Sequence, residues 1–179
     1  MKMSNKRIVT IFSGDCFVSE NRNIIISTIL GSCVAVCLYD KWAGIGGMNH
    51  FMLPTRTQDR SKKQSSHELY GLPSLQKMVK ELLRAGAVNP RLEAKVFGGA
   101  KVIKELPLNI PKSNIECALD FLKQHDIKVI SSDTGGEFGR KVLFDLSDFS
   151  VYVETLTNTK ITQLESFINE QRNINTSSQ

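Results

Sequence analysis

A chain of 179 residues is long enough for one domain with a sizeable core, and 41% hydrophobic with 23% charged residues is an ordinary globular composition. The net charge of +5 is small and dispersed. With a pI near 9.1 it argues for mild attraction to acidic partners rather than for nucleic acid, because no basic stripe interleaved with aromatics occurs.

The basic segment Met1–Arg7 and apolar Ile8–Phe12 end at Ser13-Gly14-Asp15, short of a signal-peptide core. No apolar run is long enough to span a bilayer, so the expectation is a cytoplasmic protein whose four cysteines (Cys16, Cys33, Cys37, Cys117) are free thiols. Arg7–Ser13, Asn23–Thr28 and Ser32–Tyr39 are rich in Ile and Val and read as strands. Ala43–Leu53 continues the pattern, with glycines that suggest bulges or close backbone approach. Thr55–Ser66 is polar and reads as a mobile loop, carrying Arg56, Arg60, Lys62 and Lys63 against Asp59.

Leu72–Ala85 reads as a helix: Pro73 suits its first turn, Leu72, Leu75, Val79, Leu82 and Leu83 form an apolar stripe, and Gly86 suits the C-terminal cap. Leu92–Phe97 is a strand. Ser113-Asn114-Ile115-Glu116 reads as a capping box opening a second helix to Gln124, with Ile115, Ala118, Leu119 and Leu122 inward. Ile127–Ser131, Lys141–Leu146 and Ser150–Thr155 complete the strands, and Asp133–Gly139 is a glycine-rich turn. Lys160–Gln171 fits a third helix before a polar tail expected to be disordered. Strands outnumber helices without βαβ alternation. The fold class expected is α+β, with mixed β-sheets packed in layers and two or three helices on the outside.

Chemistry concentrates in two segments. Cys33 stands in Ser27-Thr28-Ile29-Leu30-Gly31-Ser32-Cys33, and His50 in Gly46-Gly47-Met48-Asn49-His50. A thiol becomes a good nucleophile beside a base, usually an imidazole, and small neighbours let a substrate approach the sulfur. A free cysteine is more often simply a small buried hydrophobe, so this spacing makes a Cys/His hydrolase plausible and no more. A hydroxyl from Ser27 or Thr28 could orient the imidazole; adjacent residues of a strand face opposite ways. In the turn Gly31-Ser32-Cys33, the backbone N–H groups of Ser32 and Cys33 are candidate oxyanion donors. Cys33 and Cys37 share a strand face, but no second pair has ligand spacing, so neither metal nor cofactor is expected.

The runs STILGSCVAVCLYD and GIGGMNHFMLP, with Ala94–Ala100 and Asp133–Val142, resemble the CheD family of chemoreceptor glutamine deamidases in order and spacing, over roughly residues 8 to 155. The resemblance implies sheets packed together with helices outside, related to toxin-type cysteine deamidases, in a catalytic domain of residues 1–156 with an extension at 157–179. It implies a Cys-His-Thr triad hydrolysing side-chain amides of receptor glutamines, in some members also receptor methyl esters. Cys33 matches the nucleophile and His50 the base. The threonine position, six residues before the cysteine, is Ser27 here, and so Ser27 is favoured over the neighbouring Thr28. Where the family tends to carry methionine after Gly98-Gly99-Ala100, this chain has Lys101-Val102. The implied partners are chemotaxis receptor cytoplasmic helices and a CheC-type phosphatase. The alternative function is an adaptor binding either partner without turnover; a generic cysteine amidase fits the motif order less well.

Overall fold

Val34–Asp40 is apolar at almost every position, the pattern of a strand covered on both faces rather than one. In the computed structural model, which describes residues 6–52, 71–102 and 109–156, this segment is β4, every residue of it buried. The other strands are β1 (Arg7–Thr10), β2 (Cys16–Ser19), β3 (Ile24–Leu30), β5 (Ile45–Phe51), β6 (Leu92–Gly98), β7 (Lys128–Thr134), β8 (Gly139–Asp145) and β9 (Val151–Leu156). The helices are α1 (Gly71–Arg84) and α2 (Asn109–Gln124), with a 3-10 turn at Asn89–Arg91.

The strands form a five-stranded sheet in the order β2-β5-β4-β6-β7 and a four-stranded sheet in the order β1-β3-β8-β9. Both are mixed: β1 with β3 and β6 with β7 pair in parallel, the remaining neighbours antiparallel. Alternation along β4 divides its side chains. Val34, Val36 and Leu38 face a cluster with Leu75, Met78 and Leu82 of α1 and Phe121 and Leu122 of α2. Ala35, Cys37 and Tyr39 face Ile26, Leu30, Val142 and Phe144 of the four-stranded sheet. The layers are helices, five-stranded sheet, four-stranded sheet, which is the layered α+β architecture expected.

Several details differ from expectation. β2 has no counterpart among the expected strands, because its four residues are short and only half-buried. α2 begins at Asn109, four residues before Ser113, so the supposed capping box lies inside the helix; Pro111, acceptable in a first turn, does not delay the start. Met78 and Phe121 take the inward positions expected of Leu83 and Leu119, which are exposed. β5 pairs with β4 without a bulge, while β6 and β7 carry a register shift at Ala94/Lys95. The basic loop Thr55–Ser66, the third helix Lys160–Gln171 and the extension 157–179 lie outside the described residues. No described helix is long and apolar enough to cross a membrane.

One buried charge organises the far end of the β4–β5 hairpin. Asp40 is fully buried, accepts from the N–H groups of Trp42, Ala43 and Val88, and pairs with Arg91 at 2.8 Å. Burial alone would push its carboxyl up; Arg91 and the backbone donors outweigh that and hold it below the usual carboxylate range. Asp40→Asn removes the charge and leaves donors unmatched. It should lower the unfolding free energy by about 3 kcal/mol, read from urea denaturation at neutral pH.

Candidate active site

β3 belongs to the four-stranded sheet and β5 to the five-stranded one, and the site forms where their inner faces meet. On β3, Ile26 and Leu30 point between the sheets, so strand alternation sends Thr28 the same way and Ser27 to the outer face. On β5, Met48 points between the sheets, and His50 follows two residues later on the same face. Thr28 Oγ1 lies 2.8 Å from His50 Nδ1. The hydroxyl that reaches the ring is therefore that of Thr28 and not that of Ser27, the residue that counting back from the cysteine had favoured.

The hydrogen bonds also fix the imidazole's protonation. Thr28 has a single hydroxyl proton and donates it to the carbonyl of Ile11 at 2.8 Å. It can then only accept from His50, which places the ring proton on Nδ1 and leaves a lone pair on Nε2. Nε2 is buried and, among the described residues, is the one buried side-chain nitrogen or oxygen without a hydrogen-bond partner. Such an atom is costly unless a ligand or a reaction uses it. Burial is the main influence on the ring and lowers its pKa to about 4, with Asp15 pulling weakly the other way.

Cys33 stands one residue before β4. The β4–β5 register pairs Ala35 with His50 and ends at Val34 with Phe51, so Cys33 follows directly on the last pair, two residues from the one that His50 faces. Cys33 packs half-buried against the inter-sheet cluster. Burial raises its thiol above the ordinary value, and the Ser13 hydroxyl beside the sulfur partly offsets this. With the thiol raised and the imidazole lowered, both groups are neutral at physiological pH.

The turn carrying Cys33 is tied from outside. Its carbonyls accept, in order, from the N–H of Ala100 to Gly31 at 2.8 Å, from Asn114 Nδ2 of α2 to Ser32 at 2.7 Å, and from the N–H of Gly99 to Cys33 at 2.7 Å. Among the described residues no backbone carbonyl accepts from the N–H of Ser32 or Cys33. Gly98 has φ +105°, and a Cβ there would fall 2.3 Å from the Cys33 oxygen, so only glycine fits. Arg140, itself buried, donates to the Gly98 carbonyl at 2.9 Å and the Gly135 carbonyl at 2.8 Å. Val102, standing after the Gly-Gly-Ala segment, packs its Cγ2 over Gly31. Sequence reasoning did not single out Ser13, Asn114 or Arg140; a fully buried asparagine within an apolar helix face was the available signal for the second.

A groove of about 390 Å³ opens alongside, lined by Ser13, Phe51, Met52, Pro73, Ser74 and Lys77. Asn49 Nδ2 donates to Ser74 Oγ at 3.0 Å, fastening α1 to β5 one residue from His50. Among the described residues no group of three or more His, Cys, Asp or Glu side chains is gathered as for a metal.

The family described as CheD chemotactic sensory transduction matches residues 52–155. Among curated proteins, a Rhizobium etli protein named probable chemoreceptor glutamine deamidase CheD is 46% identical over 76% of this chain and 73% of its own length. Proteins of the same name from Agrobacterium fabrum and Bordetella parapertussis are 45% and 39% identical, over 80% and 85% of this chain and 77% and 71% of their own lengths.

Thr28→Val leaves the Nδ1 proton and the Ile11 carbonyl unpartnered and should cost about 1–3 kcal/mol. Imidazole ¹⁵N shifts should show the single tautomer becoming mixed in that variant and unchanged in Ser27→Ala. A mixed tautomer in Ser27→Ala alone would reverse the assignment.

The imidazole also makes stability depend on pH. Its pKa falls from 6.5 to about 4 on folding, so between those values the native state binds fewer protons than the unfolded chain. Stability should be flat above that window and fall by on the order of 3 kcal/mol as pH drops through it. His50→Gln should flatten the step in chemical denaturation midpoints.

Proposed function

This chain belongs to the CheD family, and on that premise we propose that it is a chemoreceptor glutamine deamidase, converting receptor glutamines to glutamates with Cys33 as nucleophile. The observation that carries the reading is the buried, unpartnered lone pair of His50 Nε2, on a ring whose other nitrogen is held by Thr28. A base that is neutral at physiological pH and has nothing to accept from is prepared to take a thiol proton.

The reaction then runs on this chain's own groups. The thiol proton passes to Nε2 as the sulfur attacks the substrate's side-chain carbonyl carbon. Because both groups are neutral at rest, charge separates only as the carbon–sulfur bond forms. The oxygen gains negative charge, for which the N–H groups of Ser32 and Cys33 are the donors, worth about 10²–10³-fold for a single oxyanion contact. The imidazolium returns its proton to the nitrogen, ammonia leaves, and a thioester remains. Water, deprotonated by the same Nε2, cleaves the thioester to glutamate and free thiol. The same path hydrolyses a methyl ester, since methanol leaves more easily than ammonia.

Thr28 holds the ring in the tautomer that exposes Nε2, the part played by the third member of a nucleophile–base–orienter triad. Each conversion adds a negative charge to a receptor helix, which is how a small hydrolysis would alter a signalling surface.

Intact-mass and peptide mass spectrometry of a co-expressed chemoreceptor tests this, as each deamidation adds about one dalton. Wild type and Cys37→Ala should convert glutamine, and Cys33→Ala should not, while keeping the fold because it loses little more than one sulfur's packing. Conversion by Cys33→Ala at the wild-type rate would overturn the mechanism. A wild-type protein that binds receptor without converting it would be an adaptor instead.

A further inference from the structure

Asn114 interrupts the buried apolar face of α2, formed by Ile110, Cys117, Ala118, Phe121 and Leu122, and is itself fully buried. A buried amide is costly unless it is hydrogen-bonded. Its Nδ2 donates to the carbonyl of Ser32, 82 residues earlier in the chain, at 2.7 Å. The helix can come this close because residue 99 is glycine. A Cβ there would fall 2.5 Å from Ile115 Cγ1 and 3.2 Å from the Pro111 carbonyl oxygen. Gly99 also donates its own N–H to the Cys33 carbonyl, so helix and turn meet across one residue.

Peptide planarity carries the Asn114 bond into the site. No described peptide bond is cis, so each carbonyl points opposite to the N–H of the following residue. The Ser32 carbonyl shares its plane with the Cys33 N–H. Holding that oxygen toward α2 turns the Cys33 N–H away from the helix. The Ala100 N–H, donating to the Gly31 carbonyl at 2.8 Å, fixes the Ser32 N–H in the same manner. That second restraint is backbone to backbone, whereas the first depends on one side chain. The Ser32 hydroxyl adds only a long contact to Met52 Sδ at 3.8 Å, and a thioether is a weak acceptor.

We propose that Asn114 is a positioning residue, whose amide sets the plane of the Ser32–Cys33 peptide so that the Cys33 N–H donates to the oxyanion formed when the sulfur attacks a carbonyl. This role presupposes Cys33 as the nucleophile of the proposed deamidation. The residue type suits the task. A neutral amide holds a carbonyl without placing a charge beside the thiol, as a lysine or arginine would. A leucine of similar volume fills the space but leaves the Ser32 carbonyl unheld.

Two small reagents separate the position of the sulfur from that of the N–H. Iodoacetamide alkylates a thiol at a saturated carbon with loss of iodide, and no oxyanion forms. p-Nitrophenyl acetate acylates it through a tetrahedral oxyanion, releasing p-nitrophenolate and leaving an acetyl thioester that water cleaves. Both rates are measured at Cys33 in the full chain, alkylation by peptide mass spectrometry and acylation by nitrophenolate absorbance after subtracting Cys33→Ala. Asn114→Leu should slow acylation about tenfold and leave alkylation within about twofold; deleting a donor costs about 10²–10³-fold, and here the N–H is misdirected rather than lost. Asn114→Ala, which cannot overfill the site, should give the same split and stands in if the leucine variant does not fold. Equal losses with both reagents would show the amide holding only the turn or the fold, and unchanged acylation would show it merely packing; either result overturns the proposal while leaving the deamidation assay intact. Wild type acylating no faster than Cys33→Ala would overturn the nucleophile assignment and this role with it.

Discussion

Three consecutive carbonyls, those of Gly31, Ser32 and Cys33, are each held by a donor from far along the chain, and the position of the sulfur follows from that restraint. Each bond is worth only about 1 kcal/mol net, so the clamp adds little to stability. Its effect is geometric. A turn without regular pairing would otherwise sample several conformations, and a nucleophile must be placed to within about half an ångström of its productive position. With the carbonyls turned toward Gly99, Ala100 and Asn114, no backbone carbonyl among the described residues accepts from the N–H groups of Ser32 and Cys33, the oxyanion donors of the proposed reaction.

The seam between the sheets supplies the second requirement, a dry environment for the proposed base. Thr28 and His50 meet there from opposite layers, among side chains such as Ile26, Leu30 and Met48 that exclude water. Low polarity keeps the imidazole neutral and the thiol protonated. A protonated thiol is a poor target for oxidants and stray electrophiles, since the thiolate is the reactive form. On the proposed mechanism the arrangement keeps the sulfur quiet until a carbonyl arrives to accept it, at the cost of a less reactive ground state than a preformed ion pair would have.

Cys33 and His50 stood out in the sequence through the resemblance of their glycine-punctuated apolar segments to the CheD family, and the layered fold followed from the balance of strands and helices. The choice between Ser27 and Thr28 was not legible. β3 begins Ile24-Ile25-Ile26, apolar on both faces, so a period of two cannot say which face is inward. Counting from Cys33 fails as well, because the bend at residues 31–33 interrupts strand alternation between the two segments. Asn114 was hidden by a different error: reading Ser113 as a helix start put its neighbour in a cap, whereas the helix begins at Asn109 and turns Asn114 inward to Ser32. Ser13 owes its place to His50's backbone pairing, a tertiary contact that no local pattern announces.

The glycine-rich segment between β7 and β8 has the same logic one step further out. Gly135 N–H donates to the Gly98 carbonyl at 2.9 Å, and Lys101 N–H to the Gly136 carbonyl at 2.8 Å, stitching that turn to the segment that holds Cys33. Arg140 completes the join, with one guanidinium nitrogen on Gly98, another on Gly135, and Asp133 at 3.2 Å balancing the charge. A planar fork with fixed donor directions can bridge two carbonyls at once; a lysine ammonium, a compact point charge on a flexible stem, holds them less rigidly. The demand for guanidinium at this buried position is therefore a demand about the turn that carries the proposed nucleophile. Any loosening at Arg140 passes through Gly98 and Gly99 to the Cys33 carbonyl, and so to the sulfur.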